Sequence, residues 1–167
     1  MLIQGVRRLN ESLKFQSTGK AVMWIGHYFI GMLYYIGVNI ACLSTVYDPV
    51  TKYDDVARYV GILLFGIASW KQFLLHKNLA VTKARAKGEY AIPSDHAFQN
   101  FIAPHYTCEI IIYASLCIIS QFQNQVMVSV LVWTIIILSI SASESRTWAL
   151  KKWSGKWSPR WNVLPFW

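Results

Sequence analysis

Two apolar runs, from about Tyr106 to Gln121 and from Val126 to Ser143, are joined only by the turn sequence QFQNQ. A helix needs roughly 17 to 25 mostly apolar residues to cross about 30 Å of hydrocarbon with every backbone group bonded internally. Two earlier runs, Ala21 to Tyr47 and Val56 to about Leu75, also come close to that condition, the 106–121 and 126–143 runs being the short ones. Composition agrees, since 54% of the 167 residues are apolar and 14% charged, whereas a soluble domain carries about a quarter charged residues. Mean hydropathy is +0.33. The sequence therefore predicts an all-α, polytopic membrane bundle with about four transmembrane spans, near residues 21–47, 56–75, 106–121 and 126–143, in one domain covering 1–167.

Charge placement orients those spans. Arg7, Arg8, Lys14 and Lys20 precede the first; Lys77, Lys83, Arg85 and Lys87 lie between the second and third; Arg146, Lys151, Lys152, Lys156 and Arg160 follow the fourth. With four spans these thirteen cations share one side, and the positive-inside rule puts both termini and the 77–105 loop in the cytosol. The opposite side holds YDPVTKYDD, where Asp48, Asp54 and Asp55 offset Lys52 and nearby Arg58. A net charge of +8 would suit a nucleic acid, but the cations flank apolar runs and neither a zinc-finger spacing nor an RNP-like signature occurs. Membrane phospholipid or an anionic cofactor is the expected partner. The tail KKWSGKWSPRWNVLPFW alternates tryptophan with cations, a pattern suited to the membrane interface.

An ionisable side chain at mid-membrane costs roughly 2.5 to 3.5 kcal/mol, so such groups face a bundle interior or a wet cavity. Glu109 stands near the cytosolic start of the third run, where it serves either a polar pocket or the free N–H groups of a helix terminus. His105 precedes it by four residues and shares its helix face; Gln72 and His76 repeat that spacing at the cytosolic end of the second run. Two such pairs at one depth, with Lys83 and Arg85 between them in sequence, predict a pocket for an anionic ligand open to the cytosol. The four histidines form no H-E-x-x-H or H-x-x-H-H cluster, and G-x-S-x-G, G-x-G-x-x-G and Walker loops are all missing. A zinc protease, di-iron desaturase, serine hydrolase and Rossmann dehydrogenase are thereby disfavoured. Cys42, Cys108 and Cys117 sit in apolar segments and make no C-x-x-C pair.

In order and spacing, VRRLNESL, GHYFIGMLYY, QFLLH, IPSDHAFQNFIAPHYTCEIIIYAS and SPRWNVLPFW resemble the steroid 5α-reductase family. APHYTCEIIIY is most similar to its polyprenol reductase branch, where His-Tyr is at home in the place of the steroid branch's Asn-Phe. The resemblance implies a multi-pass endoplasmic-reticulum enzyme that uses NADPH to saturate the α-isoprene unit of a polyprenyl lipid, on the way to dolichol for N-glycosylation. It matches Gln72, His76, Lys83, Tyr90, His105, Tyr106 and Glu109 to cofactor-pocket positions. It leaves Arg146 near the His of the family's tail, and makes Lys83 and Arg85 candidates for phosphate contact. Glu109 would face the second span as an acceptor at the nicotinamide end.

The match is expected to begin within the family's third helix, around Gln4 to Arg8, without counterparts of the first two. A second reading is therefore a truncated, non-catalytic paralogue that binds lipid or a partner membrane subunit. If the chain is a reductase, the substrate is expected to be the aldehyde, polyprenal. Hydride adds readily to a carbon–carbon double bond only where the resulting charge can delocalise, and a carbonyl provides that sink where an allylic alcohol does not.

Overall fold

The computed structural model describes residues 5–7, 10, 25–47, 55–86, 91–93, 95–153 and 156–163. Among the described residues, 5–7 and 10 are helical, and five helices with defined bounds follow in order: α1 (Ile25–Tyr47), α2 (Asp55–Arg85), the short α3 (Ala97–Asn100), α4 (Pro104–Ile119) and α5 (Gln125–Trp153). Among the described residues there is no strand, and the one isolated bridge joins Phe101 to Trp161. The all-helical expectation therefore holds.

Local sequence sets several of the helix ends. Pro104 opens α4, at the position where a missing N–H leaves nothing unsatisfied. Asp95 Oδ1 accepts from the Ala97 N–H at 2.8 Å and starts α3. The turn after α4 carries Gln121 and Phe122 at φ 49° and 59°, with the Phe122 N–H donating back to the Cys117 carbonyl at 2.8 Å. Asn124 then caps α5 by accepting from the Met127 N–H at 3.0 Å, and its amide donates to the Ala41 carbonyl (2.9 Å) and Ser44 Oγ (3.0 Å), tying the turn to α1. A left-handed backbone costs an L-residue about 1 to 2 kcal/mol. Gln121→Gly is thus expected to stabilise the chain by about 0.5 to 1 kcal/mol, after the larger unfolded-state entropy of glycine is subtracted; thermal unfolding in detergent reads it.

Cross-helix contacts fix an up-and-down arrangement. Along α2 and α4, Gly61 meets Ser115 and Ile119, Gln72 meets Glu109, and His76 meets His105, so the two helices run antiparallel. Along α1 and α5, Tyr34 bonds Thr134 while Ala41 lies at Asn124, again antiparallel. The C-terminal ends of α2 and α5 consequently stand beside the N-terminal end of α4. Ala41, Cys117 and Met127 pack one end of the bundle. Ile102, Ala103, Ile110, Ala142, Ala149 and Val163 pack the other.

Helices stand at all four places where spans are expected, and two of them outrun the apolar sequence. Hydrophobicity fades at Leu75 and Ser143, yet α2 continues to Arg85 and α5 to Trp153. No proline intervenes, and a helix backbone stays bonded whether its side chains are apolar or charged. Among the described residues α5 alone is both long and apolar enough to cross a membrane; the apolar helices Phe29–Ser44 and Pro104–Ile119 are shorter. Only 22% of the most apolar stretch of α5 is buried within the chain, unlike the core helix of a soluble protein. Ile62, Leu63, Ile67 and Trp70 on α2 and Ile136, Ile137 and Ile140 on α5 are likewise exposed. Exposed apolar side chains of this kind suit contact with lipid.

Candidate functional site

The polar residues converge where the C-terminal ends of α2 and α5 meet the start of α4. Gln72 is completely buried, and its Nε2 donates to Glu109 Oε2 at 2.9 Å. On its other side, the Arg7 guanidinium donates to Gln72 Oε1 and to the Ser69 carbonyl. A guanidinium can only donate and an ionised carboxylate can only accept, so Gln72 is held in one amide orientation by both partners. The result is a relay, Arg7 to Gln72 to Glu109, that connects a cation to an anion through a buried dipole. Glu109 lies beyond the first turn of α4 and accepts from another helix, so it does not serve the free N–H groups of the helix terminus.

His105, one turn nearer the helix start, packs on His76 of α2, their ring centroids 5.4 Å apart. It also touches Tyr106 (4.4 Å) and Phe98 (6.2 Å). The two expected pairs are thus brought together as Gln72 with Glu109 and His76 with His105, across helices rather than along them. Lys83 and Arg85 sit in the last turn of α2, half-buried and exposed respectively. Arg146, on α5, donates to Asn162 Oδ1 at 3.2 Å and to the Arg160 carbonyl at 3.5 Å. It therefore holds the returning tail. Tyr90 lies outside the described residues.

Segments 77–105 and 144–163 meet at this end. Ile102 N–H donates to the Trp161 carbonyl (3.0 Å), Trp161 N–H to the Asn100 carbonyl (2.8 Å), and Trp157 Nε1 to the Phe98 carbonyl (2.9 Å). Thr107 Oγ1 donates to the Val163 carbonyl at 2.5 Å. Between them lies a cavity of about 490 Å³. Phe98, Trp148, Trp153 and Trp157 supply its aromatic wall, with His105 and Glu144 among its polar groups. Among the described residues no group of three or more His, Cys, Asp or Glu side chains is placed to hold a metal.

Sequence reasoning missed Arg7, Glu144 and the cavity tryptophans. Arg7 was legible only as part of a basic block, because nothing local couples it to Gln72. Glu144 and the tryptophans reach the cavity only because the tail folds back.

Helices with lipid-suited flanks and a buried glutamine–glutamate contact at one end, beside an aromatic cavity, define an all-helical protein whose surface suits a membrane. Residues 21–167 match the family model described as 3-oxo-5-alpha-steroid 4-dehydrogenase, and the chain belongs to that family. Among its relatives, the polyprenal reductase of Saccharomyces cerevisiae is 28% identical over 96% of this chain and 60% of its own length. The polyprenal reductase of Xenopus laevis is 25% identical over 86% of this chain and 47% of its own. Polyprenal reductase 2 of Oryza sativa subsp. indica is 23% identical over 99% of this chain and 56% of its own. The chain thus spans only about half to six-tenths of these relatives. No solved structure gives a significant match.

Proposed function

We propose that this chain carries the cofactor pocket of a multi-pass endoplasmic-reticulum reductase, with both termini in the cytosol, that saturates the α-isoprene double bond of polyprenal in dolichol formation. The observation that carries the reading is the Gln72–Glu109 bond across α2 and α4, in a chain whose named relatives are polyprenal reductases. NADPH is the proposed cofactor, and the residues present fit it. A carboxylate has about four lone-pair sites, so Glu109 can accept from a nicotinamide carboxamide as well as from Gln72. His105 and His76 stand beside that point as further hydrogen-bonding groups. The aromatic cavity has the size of a small-molecule site and suits a base, while Lys83, Arg85 and Arg146, with Tyr90, are the candidates for phosphate and ribose.

When bound, NADPH supplies the hydride. The chain's own part is to orient the carboxamide through Glu109, keep that carboxylate in place through Gln72 and Arg7, and hold the prenyl chain among apolar helices. Hydride addition at the β-carbon leaves its charge on the α-carbon, and conjugation with a carbonyl lets that charge delocalise onto oxygen, which is why the aldehyde and not the alcohol is the proposed substrate. The test is product analysis after incubating the purified protein with NADPH and either lipid. Saturated aldehyde from polyprenal, with polyprenol untouched, is expected. Direct saturation of the alcohol overturns the substrate, and no NADPH consumption with either lipid overturns the reductase reading.

A further inference from the structure

We propose that the outer surface formed by the end of α5 and the returning tail is a docking surface for anionic glycerophospholipid, whose phosphate and acidic headgroup pair with Lys151, Lys152, Lys156 and Arg160. The inference goes beyond the reductase reading and uses none of the cations assigned there.

From Ser145 to Val163 the chain carries five cations and no aspartate or glutamate. Arg146 is turned onto Asn162 and the Arg160 carbonyl. Lys151, Lys152, Lys156 and Arg160 are exposed. Like charges gathered on one surface repel one another, and a facing layer of anions turns that repulsion into attraction. Basic clusters that directly follow a membrane helix bind anionic lipid for this reason. Here the cluster follows the described helix that is long and apolar enough to cross a membrane, and Lys151 and Lys152 lie in its last turn.

The fold places these cations at headgroup depth. The apolar part of α5 ends at Ser143, so Lys151 and Lys152 stand about 12 to 14 Å beyond it along the helix. Headgroups occupy about 5 to 8 Å outside the hydrocarbon, and a lysine stem reaches back toward them. The chain then reverses. Trp161 N–H donates to the Asn100 carbonyl, Ile102 N–H to the Trp161 carbonyl and Thr107 Oγ1 to the Val163 carbonyl, all close to Tyr106, where the apolar run of α4 begins. Arg160 is thereby returned to the membrane edge.

Aromatic contacts hold two of the cations ready. Lys152 Nζ lies 5.1 Å from the Trp148 ring centroid and 5.6 Å from that of Trp153, and Arg160 Cζ lies 4.8 Å from that of Trp161. Such contacts limit the freedom of a long side chain, so less is lost when a phosphate binds. Trp148 is itself 43% exposed, as suits an indole at the lipid–water boundary. The planar fork of an arginine matches phosphate oxygens. A choline headgroup also carries a phosphate, but its ammonium is repelled by the same four cations, so the surface selects a headgroup of net negative charge.

The test mixes the purified full chain in detergent with equal amounts of phosphatidylserine and phosphatidylcholine of the same acyl chains, and native mass spectrometry reads which lipid stays bound. One basic residue near an anionic surface strengthens attraction about fivefold, so phosphatidylserine is expected to be retained over phosphatidylcholine by about 10-fold or more. Changing Lys151, Lys152, Lys156 and Arg160 together to glutamine is expected to bring the ratio near one, with the lipid-free melting temperature kept. Lys77→Gln, at an exposed cation of α2, is expected to change it less than about twofold. Raising ammonium acetate from about 0.1 to 0.5 M is expected to lower the ratio in the parent chain. If the fourfold variant does not fold, this salt series decides, and a constant ratio overturns the inference. A ratio near one in the parent, a ratio that survives in a folded fourfold variant, or an equal loss in Lys77→Gln overturns it as well. Displacement of the lipid by millimolar glycerophosphoserine assigns the cations to soluble anions, and displacement by micromolar NADPH assigns them to the cofactor; either result overturns the lipid surface and leaves the reductase reading standing.

Discussion

Glu109→Gln is expected to weaken NADPH binding by about 2- to 30-fold while leaving the fold in place. Glutamine is nearly isosteric with glutamate, and its carbonyl oxygen can still accept from Gln72 Nε2, which now sits 2.9 Å from Glu109 Oε2. What disappears is the negative charge. Hydrogen bonds to charged groups contribute about 1.5 to 3 kcal/mol, against about 1 for neutral pairs, and about 1.4 kcal/mol is a factor of ten in affinity. The substitution also leaves Arg7, which donates to Gln72, without the anion at the far end of its relay. Titration of the purified chain with NADPH, by nicotinamide fluorescence in detergent, gives the dissociation constant, and the melting temperature shows whether the fold survives. Unchanged affinity at unchanged melting temperature would show that the carboxylate does not face the cofactor.

That prediction draws on residues the sequence exposed and on one it hid. Gln72, His76, His105 and Glu109 were recognisable because each pair repeats the helical spacing of four at the edge of an apolar run. The sequence could not show that the working pairs form across α2 and α4. Register between antiparallel helices depends on where backbones can approach, and that is decided by a glycine at one end and a polar pair at the other. The full lengths of α2 and α5 were not legible for a related reason. Hydropathy marks where side chains stop preferring lipid, at Leu75 and Ser143, whereas a helix ends where its backbone is interrupted, at Arg85 and Trp153. The ten extra residues on each helix build the walls of the aromatic cavity through Leu79, Trp148 and Trp153. The tail's role was hidden further still. Its tryptophans read as interfacial anchors, and two of them do carry cations, Lys152 over Trp153 at 5.6 Å and Arg160 over Trp161 at 4.8 Å. Yet Trp157 turns inward and donates to the Phe98 carbonyl, a non-local contact that no spacing rule predicts.

Gly61→Ala is expected to destabilise the protein by about 1 to 3 kcal/mol, the usual cost of forcing extra volume into a packed contact. In a chain of this size that lowers the melting temperature by about 2 to 12 °C. A Cβ at Gly61 would lie 2.5 Å from Ile119 Cγ1, 2.9 Å from the Ser115 carbonyl oxygen and 3.2 Å from the Ile119 backbone nitrogen. The Ile119 side chain can rotate away, but the carbonyl and nitrogen belong to α4 itself, so relief requires the two helices to move apart. Close approach through a small residue is how helices pack where lipid offers no hydrophobic drive to associate, and here it sets the register that delivers Gln72 to Glu109. Gln72 is eleven residues along α2 from Gly61, about 16 Å, so a splayed helix pair reaches the site as a lengthened Gln72–Glu109 contact. NADPH affinity is therefore expected to fall along with stability, although residue 61 touches no part of the pocket. Gly66→Ala supplies the contrast, because nothing lies within 4 Å of a Cβ there. Alanine is preferred over glycine inside a helix by up to about 1 kcal/mol, so that variant should be as stable as the parent or more so, with unchanged affinity. Equal behaviour of the two alanine variants would show that the α2–α4 approach at Gly61 does not hold the site together.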